Sequence, residues 1–148
     1  MPGSTTTRGL FSTIETSMFI GENPITRRCF IDTAASGNFV PRIEDLHNFE
    51  PFSHPKSFMV ANGGEVTSRG MGIIKINVSG SKGQYIIDIP HVQWVPDIHT
   101  HLFSPGQLIK DGFMINLHKT GCIIKDPANQ LLAEIPETTW RHPIPNNI

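Results

Sequence analysis

In Cys29-Phe30-Ile31-Asp32-Thr33-Ala34-Ala35-Ser36 an apolar run stops at one carboxylate, followed by a hydroxyl residue and two small ones. An ionised aspartate at the end of a buried strand is costly unless it is hydrogen-bonded or shared with another acid, because desolvation penalises the charge. Thr33 supplies a hydroxyl, and Ala34 and Ala35 keep bulk away, so backbone or a second carboxylate can approach Asp32. The chain offers no equally good second acid motif, so a matching carboxylate is expected from another copy of the chain. The bland alternative is an Asp that caps a turn through its own backbone, a common duty before Thr, Ala and Ser.

Other residues that could do chemistry are weaker. Of the seven histidines, His99 and His101 would share one face of a strand and His91 lies nearby, but no third ligand is arranged with them. They read as exposed loop histidines, and no metal is expected. Ser36 lacks the Gly-x-Ser-x-Gly elbow of a serine nucleophile. Gly63-Gly64 and Gly70-Met71-Gly72 lack the Lys-Ser/Thr end of a P-loop, so no nucleotide or other cofactor is implied. Cys29 and Cys122 sit in apolar contexts and read as small core residues, and Trp94 and Trp140 as core or interface residues.

The chain has 148 residues, which suits one domain burying roughly two-thirds of its unfolded surface. Its hydrophobic content of 38% and charged content of 17% suit a globular protein. Lys plus Arg total 12 and Asp plus Glu 13, with the bases scattered, which argues against nucleic-acid or membrane-surface binding. No stretch approaches the ~20 apolar residues of a membrane helix, and no secretory signal is apparent. An intracellular, cytoplasmic setting is the expectation.

Gly and Pro break the chain into short apolar pieces, the pattern of an all-β barrel or sandwich. Residues 1–16 read as a flexible leader, 17–136 as the β domain and 137–148 as a C-terminal linker. Strands are expected at 17–20, 27–31, 56–60, 65–67, 84–89, 92–95, 122–125 and 130–135. Alternation marks two more, at 74–78 and 113–117. Residues 43–49 could form a helical turn, and 104–110 a helix with Ser104 as N-cap, Pro105 first and Gly112 as stop. Ala61-Asn62-Gly63-Gly64 joins two extended segments as a hairpin, mobile at its tip and able to close over the acid as a lid.

Four stretches in order resemble the protease region of copia-type LTR retrotransposon polyproteins, a retropepsin-like aspartic protease. They are Cys29 to Ser36 as quoted; Met59-Val60-Ala61-Asn62-Gly63-Gly64 with Gly70-Met71-Gly72-Ile73-Ile74; Val95-Pro96-Asp97-Ile98-His99-Thr100-His101-Leu102-Phe103-Ser104-Pro105-Gly106-Gln107-Leu108; and Gly121-Cys122-Ile123-Ile124-Lys125-Asp126. The resemblance covers roughly residues 27–133.

It implies a closed β-barrel-like retropepsin fold with a flap hairpin and one or two short helices. It also implies a homodimer in which each subunit gives one catalytic Asp32, with a virus-like particle as the setting if the element is active. Thr33 would bond across the dimer and support the dyad together with Ala34. Ala61, Asn62, Gly63 and Gly64 would form the flap over an extended peptide or polyprotein substrate. The family has glycine where this chain has Ala34. The alternative expectation is therefore a catalytically inactive barrel retained as a binding or structural remnant.

Overall fold

Gly21 adopts φ +61° and lets the chain reverse in two residues. Phe11–Ile20 (β1) and Asn23–Asp32 (β2) consequently pair antiparallel in unbroken register, from Ile20 opposite Asn23 to Phe11 opposite Asp32. The computed structural model describes residues 11–59 and 64–137. Beyond β2 the chain continues through Asn38–Val40 (β3), a 3-10 turn at Ile43–Asp45, His47–Met59 (β4), Glu65–Gly80 (β5), Gly83–Trp94 (β6) and His101–Phe103 (β7). A short helix, Pro105–Lys110 (α1), leads into Met114–His118 (β8), Gly121–Lys125 (β9) and Leu131–Pro136 (β10).

The expected all-β barrel is what forms. Strands run in the order β1-β2-β7-β3-β6-β5, and a β1–β5 contact, Met18 opposite Ile76, closes the six into a barrel. Burial alternates along β5, with Ser68, Gly70, Gly72, Ile74 and Ile76 turned inward. Met18, Cys29, Ile31, Ile87, Ile89 and Val92 meet them in the core, and each large aliphatic side chain so buried stabilises by about 1.5–3 kcal/mol. β10-β9-β8 form a separate three-stranded sheet, whose Cys122, Ile124 and Ile135 join the same core.

Several local expectations need correction. Residues 11–16, expected in the leader, are the first part of β1. Their Ser/Thr-rich composition hides an alternation in which Ser12 and Thr16 face inward with Met18. Residues 43–49 give only one 3-10 turn, because from His47 onward the backbone pairs with β5. Segments 84–89 and 92–95 are one strand despite Pro90. Gly72 opposes Val92 while Ile74 opposes Ile89, so Pro90 and His91 form a bulge, with His91 at φ +57°, and the missing N–H costs no rung. β10 ends at Pro136, close to the expected domain end, and residues 138–148 lie outside the described residues.

β4 lies outside the barrel against β5, and the Gly70-Met71-Gly72 motif explains how. A Cβ at Gly72 would stand 2.9 Å from the His47 carbonyl oxygen, and one at Gly70 would stand 2.7 Å from that of Glu50 and collide with the Phe49 ring. That ring packs edge-on against Trp94 at 5.9 Å. Gly70→Ala should cost about 1–3 kcal/mol in urea unfolding through forced backbone movement. Gly106→Ala in α1, where the nearest atom is 3.6 Å away, should be neutral or stabilising.

Candidate functional site

Asp32 is the last residue of β2 and is only 6% exposed. Its Oδ1 accepts a hydrogen bond from the Ala34 amide at 2.8 Å, and its carbonyl accepts one from the Ala35 amide at 3.1 Å. Among the described residues no hydrogen bond to Oδ2 is found. Burial pushes the Asp32 carboxyl above its ordinary pKa, and the Ala34 amide offsets this only in part. The turn cap that Asp before Thr, Ala and Ser suggests is present, with one oxygen held in the turn by the Ala34 amide. Thr33, Ala34 and Ser36 are exposed beside it. Ala34 is not among the residues with positive φ, so its methyl imposes no left-handed strain within the chain.

The turn after Asp32 is tied to the start of α1. β2 and β7 run parallel, with Cys29, Ile31 opposite His101, Phe103, so both strands finish at the same end of the barrel. Ser104 follows β7 and is 1% exposed. Its hydroxyl donates to the Ala35 carbonyl at 2.7 Å and accepts from the Gln107 amide at 3.1 Å, while its amide donates to Asn38 Oδ1 at 2.7 Å. The expected N-cap is thus present with a further role. Asn38 is fully buried, and among the described residues its Nδ2 has no hydrogen-bond partner.

A second buried acid escaped the sequence reading. Asp45, 0% exposed, accepts from the Arg27 guanidinium at 3.1 and 3.2 Å and from His101 Nε2. Burial would raise its carboxyl pKa, but the bonds from His101 and Arg27 more than offset that and hold it below the ordinary carboxylate range. The placement of His101 in an exposed loop is wrong: at 4% exposure it begins β7 and points inward, because the Arg27–Asp45 pair can satisfy its ring there. The inward-outward order His101-Leu102-Phe103 was the available signal, whereas nothing in Ile43-Glu44-Asp45 announced a buried ion pair. His99 is exposed as expected, and His91 is exposed and paired with Asp111 at 2.7 Å.

Both cysteines are buried. Burial pushes the Cys29 thiol up to about 12 and raises that of Cys122, which disfavours the thiolate form of both. Among the described residues no group of three His, Cys, Asp or Glu could hold a metal. None of their helices is long and apolar enough to cross a membrane.

Ala61, Asn62 and Gly63 of the expected hairpin tip lie outside the described residues, as does Trp140; Gly64 is exposed. The hairpin stem is present, with Met59 opposite Glu65, and Phe58 packs against Phe39 at 5.4 Å. A cavity of about 350 Å³ lies elsewhere, at the seam where β1 and β5 share one rung, and Asp32 does not line it.

Asp32 and Asp45 give opposite pH signatures. Asp45 is held low, so its stabilisation is present above the unfolded-state pKa of about 3.9 and is lost as pH falls through the lower folded value. Asp32 is held high, so stability declines as pH rises from the unfolded value through the folded one. Asp45→Asn should therefore lose about 3–5 kcal/mol at neutral pH in denaturant titrations, since Arg27 is left uncompensated. Asp32→Asn should raise Tm at neutral pH in dilute solution and leave it unchanged at about pH 3, where the wild-type carboxyl is protonated.

No curated protein matches the chain. The profile of the Pol polyprotein, beta-barrel domain, matches residues 29–113, more than half of the chain and the stretch that holds Asp32, the β4–β5 hairpin and Ser104. The protein therefore belongs to the Pol polyprotein β-barrel domain family, a region of retroelement Pol polyproteins.

Proposed function

We propose that this barrel is the aspartic endopeptidase of a copia-type LTR retrotransposon, active as a homodimer on extended segments of its own polyprotein. The observation that carries the reading is Asp32: a buried carboxyl held above its ordinary pKa, with one oxygen fixed by the Ala34 amide and no hydrogen bond to the other found among the described residues. Burial without full compensation is how enzymes tune a carboxyl group toward acid–base work. The family membership and the β4–β5 hairpin beside β3 support the same reading.

One Asp32 per chain requires a second copy. Two such carboxylates about 3 Å apart share one proton, because ionising both is too costly, and the pair titrates with split apparent pKa values. The ionised member takes a proton from a water held between them, and the resulting hydroxide attacks the scissile carbonyl carbon. The protonated member donates to the carbonyl oxygen, giving a tetrahedral diol. Collapse of the diol passes a proton to the leaving nitrogen and restores the shared proton. Thr33 supports the dyad across the dimer, and residues 61–64 grip the peptide by strand addition.

Ala34 is the departure from the family pattern, and its ordinary φ removes one objection to activity. A peptide library at about pH 5 should be cleaved by the wild type and roughly 10²–10⁴-fold more slowly by Asp32→Asn. Sedimentation should find a dimer in the cleaving preparation. Equal cleavage by both proteins refutes the reading; cleavage by neither leaves a silent barrel.

A further inference from the structure

Resting on the endopeptidase reading, we propose that Ser104 is a positioning residue: its hydroxyl clamps the Ala35 carbonyl and thereby steadies the turn that fixes the Asp32 carboxylate. A helix N-cap needs only an acceptor, which Ser104 Oγ supplies to the Gln107 amide at 3.1 Å. The proton of the same hydroxyl is used elsewhere, on the Ala35 carbonyl at 2.7 Å, and capping does not require that bond. Asp or Asn in its place would cap as well but would not reproduce a hydroxyl with one donor and two lone pairs.

The clamp reaches Asp32 within one residue. Ala35 is gripped on both sides, its carbonyl by Ser104 and its amide by the Asp32 carbonyl at 3.1 Å. One residue earlier the Ala34 amide holds Asp32 Oδ1 at 2.8 Å. The far end of the loop is tied to the same residue, since Asn38 Oδ1 accepts from the Ser104 amide at 2.7 Å. Ser104, Asn38 and Asp32 are at most 6% exposed, so water competes poorly for the Ser104–Asn38 bond and for the buried ends of the others. α1 thus acts on the carboxylate through one hydroxyl, and without it the Ala34 amide would be free to swing off Oδ1.

Ser104→Gly separates the two roles, because Gly caps a helix nearly as well as Ser but cannot hold Ala35. Amide exchange of Ala34 and Ala35 should speed up by about tenfold or more while exchange within α1 changes little. Peptide cleavage should lose about 10–100-fold in kcat with KM unchanged, since a small misplacement acts on the chemical step. Ser104→Thr keeps the hydroxyl and should restore both. Unchanged exchange and kcat in Ser104→Gly overturn the proposal, as does failure of Thr to rescue. If the wild type cleaves nothing, the endopeptidase reading falls by itself, and exchange at Ala34 and Ala35 still decides whether Ser104 holds the turn.

Discussion

The parallel pairing of Cys29–Ile31 in β2 with His101–Phe103 in β7 is the constraint on which the rest of the architecture depends. Parallel neighbours finish at the same end of a sheet and need a long crossover between them. Here the crossover contains β3 through β6, which is most of the barrel. The shared ending puts Asp32 and Ser104 side by side, so that a turn from one part of the chain is secured by a helix cap from another. β3 completes the arrangement by lying antiparallel to β7 and parallel to β6, which seats Asn38 beneath Ser104.

Two acids are buried along this same pair of strands and are treated in opposite ways. Asp45 receives Arg27 from β2 and His101 from β7, so its charge ties the 3-10 turn to both strands. A buried pair of this kind is weak evidence for net stability, yet its geometry specifies how the strands sit, because breaking it leaves a charge unmatched. Asp32, a few residues along β2, receives one backbone amide. Asp45 is thus held below the ordinary carboxylate range, whereas burial holds Asp32 above it. The seam cavity between β1 and β5 is lined mainly by aliphatic side chains such as Ile14, Ile76 and Leu108, and Asp32 is not on its walls.

Much of the local structure was legible. The alternation of Ile74, Ile76 and Val78, the Ser104-Pro105 helix start and the Gly112 stop all reflect short-range sterics and hydrogen bonding. Asp32 stood out because an apolar strand ending in one carboxylate is costly wherever that strand is buried. The Gly70-Met71-Gly72 motif was visible as well, although the reason for it, the close passage of β4, was not. The misses share a cause: β1 was hidden by its polar composition, Pro90 was absorbed by a bulge, and His101 was taken inside by partners distant in sequence.

The sequence by itself determined an all-β chain, several of its turns and caps, and a carboxylate at the end of a buried strand, because each depends on residues within a few positions of one another. Only the tertiary structure decided that the strands close into a barrel, that Asp45 is locked by Arg27 and His101, and that Ser104 reaches the turn behind Asp32. Those outcomes depend on which distant segments become neighbours, and that is chosen by collective burial of the core rather than by any local pattern.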